Sequence, residues 1–105
     1  MALQHLTETT FDAAISTAPL AMVDFWATWC GPCKIVGPIV EKLAGNYDGR
    51  ALIAKVEADA ETSLSERYGI ASIPTLIVFK NGTEIERRVG VVSEAALREI
   101  LDANL

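Results

Sequence analysis

The stretch Trp29-Cys30-Gly31-Pro32-Cys33-Lys34 lies where one periodicity gives way to another. Ahead of it runs Leu20-Ala21-Met22-Val23-Asp24-Phe25-Trp26-Ala27, an almost unbroken apolar segment with the pattern of a strand buried on both faces. Behind it, Ile35, Val36, Ile39, Val40, Leu43 and Tyr47 recur at spacings of three and four, the pattern of a helix's inner face. Pro32 suits the first helical turn, where its missing N–H costs nothing. Cys30 is therefore predicted at or just before a helix N-terminus, with Cys33 one turn later on the same side. Two cysteines so placed can reach each other. The partial positive charge of the helix end favours a thiolate there. The stretch reads as a redox site.

The chain has 105 residues, enough for one real core and too few for two, so residues 1–105 are expected to form a single domain. Half of the residues are apolar and 22% are charged, which argues against disorder. Nine basic against fourteen acidic residues give a net charge of -5, which disfavours binding to nucleic acid or to an anionic membrane. The opening Met1-Ala2-Leu3-Gln4-His5-Leu6-Thr7-Glu8 has neither a basic n-region nor an apolar h-region. Asp24 interrupts the longest apolar segment, so no membrane span is expected. A cytoplasmic location is the expectation, although a chain trimmed of a signal peptide would read the same.

Both cysteines of the chain lie in the motif. As a structural staple they would do little: closing a four-residue loop removes denatured-state entropy worth roughly 2 kcal/mol, against about 4.7 for a 100-residue loop. A tetrahedral zinc site needs four ligands, and only His5 is available as a nitrogen donor, with no second cysteine pair. A C-x-x-C beside a strand–helix–strand pattern points to redox chemistry instead.

Outward from the motif, residues 3–6 are expected to form a short edge strand. Thr9 or Thr10 can cap a helix with Phe11, Ala14 and Ile15 on its inner face, ending before Pro19. Pro38 inside the long helix predicts a kink around residues 34–37. A turn over 46–50 leads to a strand over 51–57, then to a short helix over 61–68 closed by Gly69. Ile73-Pro74 opens another strand apolar on both faces. Asn81-Gly82 is a two-residue hairpin signal, so residues 84–89 should return antiparallel. Ser93 can cap a last helix, with Glu94 in its first turn and Leu97, Ile100, Leu101 and Leu105 as its inner stripe. The order βαβαβαββα predicts an α/β architecture: parallel strands from crossovers, one antiparallel edge pair, and helices on both faces.

These residues also carry a resemblance. Val23-Asp24-Phe25-Trp26-Ala27 followed by Trp29-Cys30-Gly31-Pro32-Cys33-Lys34 closely resembles the active-site segment of the thioredoxin family. Tyr68-Gly69-Ile70, Ile73-Pro74-Thr75-Leu76, Phe79-Lys80-Asn81-Gly82 and Val89-Gly90 match in the family's order and spacing, over nearly all of the chain. The resemblance implies the thioredoxin fold, a central mixed five-stranded sheet flanked by four helices on both faces. It further implies a general protein-disulfide reductase with no cofactor beyond a redox-active Cys30–Cys33 disulfide. Its partners would be a thioredoxin reductase and disulfide-containing client proteins, with a monomer as the default state. Small departures are Gly37, where Ala is frequent before the helix proline, and Glu57-Ala58, where Asp or Asn and a β-branched residue are usual. Ser72 occupies a variable position.

Cys30, nearest the helix start, is the expected nucleophile and Cys33 the resolving thiol. Lowering a thiol pKa from about 8.5 to about 7, as is characteristic of the resembled family, raises thiolate at pH 7 roughly fifteenfold. Nucleophilicity falls about fivefold over the same change, so attack gains only about threefold. Much of the benefit must then lie in Cys30 as a leaving group and in a pre-positioned Cys33. Asp24, a carboxylate in a strand apolar on both faces, should be costly unless paired or protonated. Its residue-level reading is a satisfied core acid or strand-end cap. The resemblance makes it instead the buried acid that assists deprotonation of Cys33 through water, and a raised pKa is expected.

By resemblance Lys55 modulates that acid, against a plain reading as an exposed strand lysine for which Glu57 competes. Pro74 resembles the family's cis-proline opposite the disulfide, although cis is found at only about 5–6% of X–Pro bonds. Trp29, Gly31, Pro32, Ile73, Val89, Gly90 and Val91 resemble the apolar collar around the cysteines, where an extended client segment can pair with backbone near Ile73. Ordinary loop packing is the alternative for these residues. Trp26 reads as a core and wall residue, His5 as a strand-end residue, and the runs 57–66 and 84–88 as solvated faces. Two other functions fit the fold: a disulfide oxidase or isomerase, and a binding subunit without redox turnover. Gly31-Pro32 between the cysteines favours the reductant, because oxidants of this fold usually carry a histidine there.

Overall fold

A computed structural model describes residues 3–105. Met1 and Ala2, which begin the stretch read for a targeting segment, lie outside the described residues. The elements follow in the expected order: β1 (Leu3–His5), α1 (Phe11–Thr17), β2 (Leu20–Trp26), α2 (Cys33–Asn46), β3 (Leu52–Glu57), α3 (Thr62–Arg67), β4 (Thr75–Lys80), β5 (Thr83–Val89) and α4 (Glu94–Asn104). They build one five-stranded sheet in the order β1-β3-β2-β4-β5. β1 and β2 flank β3 in parallel, β4 runs antiparallel to β2, and β5 runs antiparallel to β4.

The direction of β4 departs from the expected run of parallel crossovers. The connection from Glu57 to Thr75 is long enough to cross back, but the chain instead winds into the six-residue α3, whose Leu64 packs on the sheet, and stays at that end. It enters β4 at the end where β3 finished, with Thr75 opposite Phe25.

Alternation along the strands sorts the core into two layers. Leu20, Met22, Ile53, Leu76 and Val78 pack against Val36, Val40 and Leu43 of α2 and Leu97 and Leu101 of α4. Ala21, Val23, Phe25, Val56, Ile77 and Phe79 pack on the opposite face against Phe11 and Ile15 of α1 and Leu64 of α3. β2 and β4 are covered on both faces, which accounts for their continuous apolar sequences.

Ser93 caps α4, its hydroxyl accepting from the Ala96 N–H at 3.1 Å. Thr10 holds the N-cap position of α1 but makes no capping bond; its Oγ1 accepts from the Thr7 N–H instead. Gly69, with φ of +59°, closes α3 as expected. The Gly69 N–H reaches the Glu66 carbonyl and the Ile70 N–H reaches Ser65, which satisfies the last turn. Asn81 and Gly82 both take positive φ, the requirement of the tight β4–β5 hairpin. α2 continues through Pro38.

Two residues assigned to inner helix faces lie outside. Ile35 is 58% exposed, because the buried stripe of α2 runs through Cys33, Val36, Val40, Leu43 and Ala44, one position around. Leu105 is exposed because α4 ends at Asn104. This difference is measurable. Leu43→Ala should cost roughly 3 kcal/mol of unfolding free energy in denaturant titrations. Ile35→Ala should change it by no more than about 0.5 kcal/mol.

Candidate active site

β2 carries the chain to the sheet's C-terminal edge, and the turn after it delivers the cysteines to the start of α2. Pro32 has helical φ and ψ, and its carbonyl already accepts from the Ile35 and Val36 N–H groups. Regular helix begins at Cys33, leaving Cys30 just before it. The two sulfurs are joined as a disulfide across a Cα–Cα distance of 5.3 Å. Cys30 and Cys33 are both buried, packed with Ala27 and against Trp26 and Ile73. The Cys33 backbone N–H points at the Cys30 Sγ, 3.2 Å away. An N–H aimed at sulfur from a helix start stabilises negative charge there once the disulfide is reduced. The Ile73 carbonyl lies 3.7 Å from the same sulfur.

Opposite the pair, the Ile73–Pro74 peptide is cis and Pro74 is buried. The Pro74 carbonyl accepts the Gly90 N–H at 2.8 Å, which ties the segment after β5 to the loop facing the disulfide. Val89 and Val91, flanking Gly90, are 60% and 57% exposed, and Gly31 and Pro32 are exposed beside Cys30. Trp29, at 69%, is the most exposed large apolar residue among the described residues. Its ring is nevertheless fixed, because the indole N–H donates to Asp59 Oδ2 at 2.5 Å. Asp59 falls in the run 57–66 that reads as a solvated face. The one signal for its role was an exposed indole N–H needing an acceptor, and its partner is thirty residues away.

On β2, Asp24 is fully buried. Neither carboxylate oxygen has a hydrogen-bond partner among the described residues, nor does the indole N–H of Trp26. Burial raises the Asp24 pKa to about 6, and the positive charge of Lys55 partly opposes that rise. Lys55 is the register neighbour of Asp24 on β3. Its Nζ rests 4.5 Å from the centroid of the Trp26 ring, a cation–π arrangement. Among the described residues Lys55 forms no ion pair with Glu57. A groove of about 230 Å³ lies between α2 and β3, lined by Cys33, Gly37, Glu41, Trp26 and Lys55 among others. It joins the second cysteine to the lysine beside the buried acid. His5 is exposed at the sheet edge, in register with Lys55.

The sequence model of the thioredoxin family matches residues 2–103. Thioredoxin of Staphylococcus epidermidis is 47% identical over 105 residues, covering all of both chains. Those of Staphylococcus haemolyticus and Staphylococcus aureus are 46% and 44% identical over the same full length. Among solved structures, a mutant thioredoxin from Halobacterium salinarum superposes with a TM-score of 0.90 at 34% identity, covering 97% of this chain and 89% of that one. Plasmodium falciparum thioredoxin gives 0.88 at 33% identity, covering 97% and 99%. Neither the sheet nor the cysteine turn falls outside these matches, so the chain belongs to the thioredoxin family and is a protein-disulfide oxidoreductase.

Proposed function

We propose that this protein is a general protein-disulfide reductase, recycled by a thioredoxin reductase and acting as a monomeric single domain in the cytoplasm. The observation that carries the direction of attack is the Cys33 N–H on the Cys30 sulfur. In the reduced protein the Cys30 thiolate attacks one sulfur of a client disulfide. A mixed disulfide forms and the first client sulfur leaves as a thiolate, which takes up a proton. Cys33 then loses its proton towards Asp24, through intervening solvent, and attacks the Cys30 sulfur. The Cys30–Cys33 disulfide closes, and the second client sulfur leaves and is protonated. Two electrons have passed from the protein to the client, and the reductase returns them.

Asp24 is suited to that proton transfer because a carboxyl titrating near 6 exchanges protons at neutral pH more readily than an ordinary one. Lys55 tempers its basicity. Client chains bind across Trp29, Gly31, Pro32, Ile73, Val89, Gly90 and Val91, and Pro74 holds the loop that faces the sulfur. The exposed apolar side chains at Trp29, Val89 and Val91 support this reading. Backbone pairing near Ile73 would orient an extended client segment.

Two outcomes are expected. Cys33→Ser should accumulate clients as mixed disulfides through Cys30, releasable by dithiothreitol, whereas Cys30→Ser should trap none and lose insulin reduction. The second concerns stability. A carboxyl whose pKa rises from 3.8 to about 6 on folding binds more protons folded than unfolded between those values, so stability falls as pH rises through that window. Unfolding titrations of the oxidised protein should show Asp24→Asn gaining on wild type by roughly 3 kcal/mol between about pH 4 and pH 7, with the gap constant above that. A constant gap across the whole range would contradict the assignment.

A further inference from the structure

Gly37 is buried inside α2, where glycine is unfavourable relative to alanine. It does not take positive φ, and a Cβ built there meets no backbone beyond its own helix turn within 4 Å among the described residues. Outside its own helix turn, and among the described residues, such a Cβ meets Lys55 Nζ at 3.7 Å. That ammonium also rests on the Trp26 ring, and Lys55 sits one strand from Asp24. All three residues other than Asp24 line the groove that reaches Cys33.

We propose that Gly37 is a positioning residue: the absence there of any side chain longer than a methyl leaves the seat in which the Lys55 ammonium rests against Trp26, and so sets how strongly Lys55 acts on the Asp24 carboxylate. The inference rests on the roles proposed above for Asp24 and Lys55 and adds a residue on the facing helix that governs both. A methyl at position 37 would just touch the ammonium. A longer side chain would displace it outward, where Lys34 and Glu41 line the groove with Cys33. Glu57 follows on the same strand, and His5 is the register neighbour of Lys55 on β1. Moving the positive charge by about 2 Å weakens its hold on the carboxylate and favours the protonated acid.

The test is the titration of the Asp24 carboxyl carbon by NMR in the oxidised protein, for wild type, Gly37→Leu, Lys55→Met and the double variant. Gly37→Leu should raise the Asp24 midpoint by about 0.5 pH units, a roughly threefold change in its dissociation constant. In the Lys55→Met background the same substitution should have no effect. An equal shift in both backgrounds would mean that position 37 acts by bulk alone and would overturn the proposal. So would an unmoved midpoint in Gly37→Leu while Lys55→Met still raises it. If Lys55→Met itself leaves Asp24 unmoved, the role given to Lys55 falls first and the proposal falls with it. Gly37→Val, with the same double-variant comparison, carries the test if Gly37→Leu does not fold.

Discussion

The contact of the Cys33 amide with the Cys30 sulfur holds sequence, fold and chemistry together. It exists because regular helix starts at Cys33, so the first free helical N–H points back along the turn that β2 delivers. Pro32 makes that start abrupt: it has helical dihedrals and no N–H of its own to compete. The cis segment at Ile73–Pro74 closes the other side of the sulfur, and the Gly90 N–H secures that segment to the end of β5. Three separate parts of the chain are thus tied together around one buried disulfide. Their rims, at Trp29, Gly31, Pro32, Val89 and Val91, stand out in solvent.

The same geometry explains a burden on the fold. Asp24 lies in the central strand with both faces covered and no hydrogen-bond donor on its oxygens among the described residues. A burial of this kind opposes ionisation, and the fold is weakened once the group does ionise. Lys55 offsets part of that cost by charge alone, since it makes no ion pair with Asp24 among the described residues. What results is a carboxyl that changes protonation state near neutrality, which suits the proton-accepting role proposed for it.

Much of this was legible because the strongest signals are local. The continuous apolar run over β2, the period change at Cys30, Asn81-Gly82 and Ser93 each act through near neighbours, and each produced the expected element. Asp24 stood out because a charge inside such a run has few explanations. What escaped depends on distance in space. The direction of β4 follows from which end of the sheet the connection after β3 returns to, and periodicity does not report that. Ile35 matched a helical stripe, but a shift of one position around α2 turns it to solvent. Asp59 and Gly37 owe their interest to Trp29 and Lys55, partners thirty and eighteen residues away.

The account depends on Cys30 being the sulfur held as a thiolate and offered to clients, with Cys33 held back. Pulsed alkylation of the reduced protein with iodoacetamide at pH 7, read by mass spectrometry of the peptide carrying both cysteines, tests this directly. Cys30 should be modified at least about tenfold faster than Cys33. Equal rates, or Cys33 reacting first, would contradict the assignment of attacking and resolving thiols and the role of the helix-start amide.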